Sequence, residues 1–254
     1  MKCLIIIAFV ALHAQVDAFF LNSRIINGRP ARPGQFPYII SLRYNNSHVC
    51  GGSIISRNYI LTAAHCLTNQ IDGNRFNIPP SPFSIRAGSI HLEEGGVVIP
   101  VAETIQHPEY SINSLDIGLV RLAQPLNFTE HINCINLAES DPPTNASIGV
   151  AGWGNTGNGQ RRSEILQHIT LSSLTTQECS RLYSNIHESS LCLLPDPVLL
   201  NGICHGDSGG PAVYNDQLVG VASYVMGGCG TAYPNVFVSV AHTMDWIREN
   251  SDLN

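Results

Sequence analysis

The sequence predicts an all-β protein, on three observations. Short apolar-rich segments recur along the chain, separated by Gly, Pro and Asn turn residues. The 230 residues from 25 to 254 suit one domain of the larger all-β kind. No internal repeat or low-complexity tract breaks the pattern.

The elements follow in order. Met1-Lys2-Cys3 precedes an apolar run from Leu4 to Leu12, and Val16-Asp17-Ala18 closes it. A short basic start, a short apolar core and a small-residue ending predict a secretory signal peptide over residues 1–18. The run is too short for a permanent membrane span. No later stretch is long and apolar enough either, so a secreted, extracellular product is expected. Strands are predicted at Tyr38 to Leu42, Ser53 to Leu61, Val97 to Ile105, Ile117 to Leu122, Leu166 to Leu171, Pro211 to Tyr214 and Leu218 to Tyr224. Asn69 to Pro82, with Pro79 and Pro80, reads as a long surface loop. Pro142-Pro143 marks a linker within a join over residues 134–145. Val240, Met244 and Ile247 recur at helical spacing and predict an amphipathic helix from Ser239 to Asn250.

Composition excludes some functions. Taking away Lys2, Arg24 and Asp17 with residues 1–24 leaves 11 basic and 18 acidic side chains, a net charge of −7. That balance lacks the basic footprint of a nucleic-acid binder. Lys2 is the only lysine, so residues 25–254 carry arginine alone as their strong base. Three sequons, at Asn45, Asn127 and Asn145, fall in apparent loops and are glycosylation candidates. No cluster implies a metal or organic cofactor.

The chemistry is concentrated in Cys204-His205-Gly206-Asp207-Ser208-Gly209-Gly210-Pro211. Glycine permits positive φ and close backbone approach. The amides of Gly206 and Ser208 can therefore point to one spot beside the Ser208 hydroxyl, where an oxyanion could sit. Two further segments complete a set. Thr62-Ala63-Ala64-His65-Cys66 follows one apolar run, and Ser114-Leu115-Asp116-Ile117 leads into another. Alone, a histidine or aspartate there is structural. In the order His65, Asp116, Ser208 they match one of the known orders of a Ser-His-Asp triad.

On these residues the sequence resembles the trypsin/chymotrypsin-like serine endopeptidases, over nearly all of residues 25–254. The resemblance implies two six-stranded antiparallel β-barrels, roughly 25–136 and 137–238, with His65 and Asp116 on the first and Ser208 on the second. It implies that Ser208 is the nucleophile, His65 the general base and Asp116 its orienting partner, with Ser223 helping to hold Asp116. Residues 19–24 become an activation propeptide cut after Arg24. The freed Ile25 amine would then pair with Asp207. Ile26 and Asn27 depart from the usual Val-Gly at that site. The resemblance pairs Cys50 with Cys66, Cys179 with Cys192, and Cys204 with Cys229. Cys134 is left without an evident partner and is expected to be a buried free thiol, the alternative being an intermolecular disulfide.

The substrate pocket departs from trypsin. Trypsin-like members carry an aspartate two residues before the cysteine of this motif, where Gly202 stands here. Val225 and Asn235 occupy wall positions that are glycine in trypsin and chymotrypsin, and Tyr224 stands where the family more often has Trp. Val225 should narrow the entrance as in elastase-like members, and Asn235 could project inward. The expected activity is hydrolysis after apolar residues, in the chymotrypsin/elastase-like subgroup. The expected partners are protein or peptide substrates, an activating trypsin-like protease and proteinaceous inhibitors. A monomer with no nucleic-acid or membrane partner is expected. A catalytically silent binding homologue and a structural glycoprotein are the competing classes. The complete triad argues against the first, and reaction with a serine-phosphonylating reagent tests the second.

Overall fold

The computed structural model describes residues 25–71, 74–111, 113–157, 161–183 and 186–253. The predicted signal peptide, the propeptide and Arg24 lie outside these residues. After a short strand β1 (Arg29–Pro30) come β2 (Ile39–Tyr44), β3 (Ser47–Ile54) and β4 (Tyr59–Thr62). A hairpin, β5 (Thr68–Ile71) and β6 (Asn74–Asn77), is followed by β7 (Phe83–Ala87), β8 (Val97–Gln106) and β9 (Gly118–Leu122). Antiparallel pairing in the order β2-β3-β4-β9-β8-β7 closes on itself as a six-stranded barrel.

The chain crosses through β10 (Asn136–Leu137) to β11 (Ser147–Gly152) and β12 (Gln167–Ser173). A helix α1 (Thr176–Leu182), β13 (Ser190–Leu194), β14 (Pro211–Tyr214), β15 (Gln217–Val225) and β16 (Asn235–Ser239) follow. The order β12-β11-β14-β15-β16-β13, with β13 returning to β12, forms a second closed ring. Closure removes the exposed edges that an open sheet presents. A 3-10 turn at Ala241–Thr243 runs into the terminal helix α2 (Met244–Glu249). The all-β, two-barrel architecture is thus the one expected.

Period-two alternation builds each core. In β7, Phe83, Ile85 and Ala87 are buried while Ser84 and Arg86 are not. In β12, Ile169 and Leu171 point inward and Thr170 and Ser172 outward. The first core gathers Ile40, Leu42, Ile60, Ile85, Leu119 and Val120. The second gathers Ile148, Val150, Leu171, Leu193 and Phe237, and Ile25 joins it. Each large aliphatic buried this way contributes about 1.5–3 kcal/mol.

Four local expectations are corrected. The predicted strand from Ser53 to Leu61 is split, because Ser56 Oγ accepts the amides of Asn58 and Tyr59, both at 3.1 Å, and turns the chain. The stretch predicted as a long loop from Asn69 contains the β5–β6 hairpin, whose strands flank Asp72-Gly73, a hairpin turn sequence. The helix α1 is absent from the predicted elements, although Thr175 and Glu178 form a capping box at its start. Cys134 is free but exposed, not buried. It lies on the crossing segment between the barrels, outside both cores. Asn45, Asn127 and Asn145 are all exposed.

Candidate active site

The site lies where the barrels meet. The Gly51 amide of β3 donates to the Ser208 carbonyl at 2.8 Å, and Thr62 Oγ1 donates to the Gly51 carbonyl at 2.8 Å. A Cβ on Gly209, whose φ is +77°, would fall 2.2 Å from Thr62 Oγ1. Only glycine fits there, which accounts for one of the two glycines after Ser208.

His65 sits on the 3-10 turn Ala64–Leu67 that ends β4. The Cys50–Cys66 disulfide ties that turn to β3. Asp116 lies just before β9 and is 3% exposed. Its Oδ1 accepts the His65 amide at 2.9 Å. Its Oδ2 faces His65 Nδ1 at 2.7 Å and accepts the Ser223 hydroxyl at 2.6 Å. A carboxylate bonded in this way holds the proton on Nδ1 and leaves Nε2 as the basic nitrogen. Nε2 lies 3.7 Å from Cys66 Sγ. Cys50, His65 and Cys66 cluster, but both sulfurs are joined in the disulfide and offer no thiolate to a metal. Ser208 and His65 line one cleft of about 440 Å³, within the range of ligand pockets. Among the described residues Ser208 Oγ and Nε2 form no direct hydrogen bond; such contacts tighten when substrate arrives.

Gly206 has φ of +99°. Its carbonyl accepts from His48 Nε2 at 3.0 Å, and His48 Nδ1 meets the Ser41 hydroxyl at 2.8 Å. Burial pushes the His48 pKa down to about 4, so the ring is neutral, with Nε2 donating and Nδ1 accepting. This relay from β2 and β3 fixes the peptide beside Ser208. Arg162 Nη1 donates to the His48 carbonyl at the same place. Neither Ser41 nor His48 carries a sequence motif, and only the fold brings them to Gly206.

Asp207 points away from the cleft and is buried. Oδ1 accepts the Gly154 amide at 2.7 Å and Oδ2 the Cys204 amide at 2.9 Å. Burial nevertheless pushes its pKa up to about 7, against the opposing pull of these two bonds. Among the described residues it forms no ion pair. Gly152 and Gly154 leave room for it, since a Cβ on either would lie within 2.3 Å of a carboxylate oxygen.

The other end of the cleft is lined by Ile203, Cys204, Tyr224 and Val225, with His205 at the rim. Cys204 is bonded to Cys229, and Cys179 to Cys192. Gly202 and Asn235 do not line the cleft. Asn235 is buried, and its Oδ1 accepts the Ile203 amide at 2.7 Å. The same oxygen lies 2.7 Å from where a Cβ on Gly202 would be. Asn235 therefore separates Gly202 from the open space.

A buried carboxylate bonded to an imidazole, and a serine in the same cleft, brought together by two barrels, point to a serine protease. A family model described as Trypsin matches residues 25–247, and the chain belongs to the trypsin family. It is 36% identical over 230 residues to serine protease SP24D of Anopheles gambiae, covering 91% of this chain and 82% of that protein. Trypsin delta of Drosophila erecta is 36% identical over 238 residues, covering 91% of this chain and 90% of its own. Among solved structures, neuropsin, a serine protease expressed in the limbic system of mouse brain, matches with a TM-score of 0.78 and 28% identity, over 87% of this chain and 97% of that one.

Proposed function

We propose that the chain is a secreted serine endopeptidase, made as a zymogen, activated by cleavage after Arg24, that hydrolyses peptide bonds after small and medium apolar residues. The observation that carries the specificity is Asn235 Oδ1 on the Ile203 amide at 2.7 Å, in front of Gly202. The cleft floor is then Ile203, an apolar side chain, with no carboxylate behind it. A lysine or arginine side chain entering it would lose water without a counter-charge, which is expensive. An apolar one gains roughly 25 cal/mol per Å² buried. Val225 narrows the entrance against large rings.

In this reading Ser208 Oγ attacks the scissile carbonyl carbon while His65 Nε2 takes its proton. Asp116 stabilises the imidazolium that forms. The oxyanion is held by the Gly206 and Ser208 amides. Collapse breaks the C–N bond, and His65 returns the proton to the leaving amine. Water then repeats the sequence on the acyl-enzyme. Among the described residues Asp207 is a buried carboxyl without a cation, and the Ile25 amine freed by cleavage would supply one. The activating protease would be one that cuts after arginine, proteinaceous inhibitors would occupy the same cleft, and the enzyme would act as a monomer. Glycans at Asn45, Asn127 and Asn145 are consistent with their exposure.

The test uses the enzyme cleaved after Arg24 and one peptide series varied only before the scissile bond. Leu, Met, Ala and Val should give the highest kcat/KM and Arg the lowest. A clear Arg preference would overturn the specificity, and failure of a serine-phosphonylating reagent to label Ser208 would overturn the activity.

A further inference from the structure

Arg75 lies on β6, in the hairpin that follows His65. Its guanidinium carbon stands 4.1 Å from the centroid of the Tyr110 ring. Its Nη1 donates to the Tyr110 carbonyl at 2.8 Å. A planar guanidinium on an aromatic face is held by cation–π attraction and keeps its charge at any working pH. These two contacts hold Arg75 in the wall of the cleft that His65, Ser208 and Ile203 also line.

Arg43, Arg121 and Arg248 each pair with a glutamate, at 2.6, 2.9 and 2.9 Å. Among the described residues Arg75 pairs with no carboxylate, although acidic side chains outnumber basic ones in this chain. Among the described residues Asp116 is the one carboxylate that lines the cleft. It is buried and already engaged by His65 and Ser223. An unpaired cation at the edge of a substrate cleft is a ready site for a carboxylate, which can bind the guanidinium fork with two charge-assisted hydrogen bonds.

We propose that Arg75 and Tyr110 form a subsite for an acidic side chain of the substrate, at one position flanking the scissile bond. The subsite rests on the protease reading and adds a second requirement to it: an apolar residue over Ile203 and an acid within reach of Arg75. The hairpin is what places the charge there.

The experiment uses the enzyme activated by cleavage after Arg24 and quenched peptides of one sequence. Each peptide carries Glu, Gln or Lys at one position within about three residues of the scissile bond. At low salt Glu should exceed Gln in kcat/KM by about tenfold at a single position. At about 1 M salt, where screening reaches ~3 Å, that preference should shrink. Arg75→Gln should bring Glu and Gln peptides to equal kcat/KM, and Arg75→Glu should turn the preference towards Lys. The proposal is overturned if no position prefers Glu, if the preference survives in Arg75→Gln, or if that variant loses all three peptides alike, which would make Arg75 a clamp for the hairpin. If the parent enzyme cleaves nothing, the protease reading fails on its own. The subsite is then judged by fluorescence anisotropy of labelled Glu and Gln peptides on Ser208→Ala, and equal affinity overturns it.

Discussion

Asn235 and Ile203 are joined across the base of the cleft, side-chain oxygen to amide, at 2.7 Å. The contact links β16 to the segment that leads into Ser208, and in the proposed specificity it sets the depth of the pocket. Gly202, which by position could have held a charge for a basic substrate, is sealed behind it.

Gly202→Asp alone is therefore expected not to create an Arg-specific enzyme. The new side chain would collide with Asn235 and lower the melting temperature. Asn235→Gly should deepen the pocket, raising kcat/KM on Phe relative to Ala peptides by roughly tenfold, a change of about 1.4 kcal/mol. Arg peptides should gain only in the double variant Gly202→Asp, Asn235→Gly. An Arg gain in the single Gly202→Asp variant would show that Asn235 does not seal the site.

Ser208→Ala should abolish turnover and leave folding intact. Losses on the order of a millionfold in kcat are expected for a nucleophile held by a base and an orienting acid. Ser208 is only partly buried, so the melting temperature should stay within a few degrees of the parent. Near-normal hydrolysis by the purified variant would remove Ser208 from its role.

His48 makes a pH prediction. Its folded pKa is depressed to about 4, against 6.5 when unfolded. As pH falls below 6.5 the unfolded chain takes up a proton that the folded one refuses. Stability from this group is thus present above 6.5 and lost towards pH 4, by up to about 3 kcal/mol. Asp207, with its raised pKa, acts in the opposite sense between about 3.8 and 7 in the uncleaved chain. The comparison must therefore be between parent and His48→Gln, measured as melting temperature at pH 7 and 4.5. The variant should lose less on acidification. It should also lose activity at pH 7, by about tenfold, because the Gly206 carbonyl is no longer held as before. Equal acid sensitivity would count against a neutral His48.

Activation can be read through Asp207. Arg24→Gln should give a folded, inactive protein, with Asp207 unpaired. In the cleaved enzyme an amine facing Asp207 should have a pKa above its usual value near 8. A raised folded pKa means the contribution is complete below the unfolded value and is lost as pH climbs through the folded one. Activity should then fall at alkaline pH. Full activity of the uncleaved Arg24→Gln protein would sink the scheme.

How much of this was legible depended on distance along the chain. Ser208, His65 and Asp116 stand in local motifs because each needs particular neighbours, such as Gly209 under Thr62. The barrels were legible as strands because alternation is local. The depth of the pocket was not, since Asn235 and Ile203 are 32 residues apart and meet only through the fold. His48 left no trace either, because a buried histidine on a strand is ordinary until its partner, Gly206, is known. The Thr175 capping box and the Asp72-Gly73 pair are local signals for a helix start and a tight turn, masked by the all-β pattern around them.

The burial of Ile25 would give a form cleaved after Arg24 a chemical signature. Lys2 is the only lysine, so a chain cut after Arg24 carries one primary amine, its own N-terminus. The residue bearing it is 0% exposed. Reductive methylation, which modifies amines and leaves Ser208 untouched, should find no target on the closed enzyme and a single one once the second barrel opens. Mass spectrometry would count that event as one increment per molecule, so the residue proposed to switch the enzyme on would also time its opening.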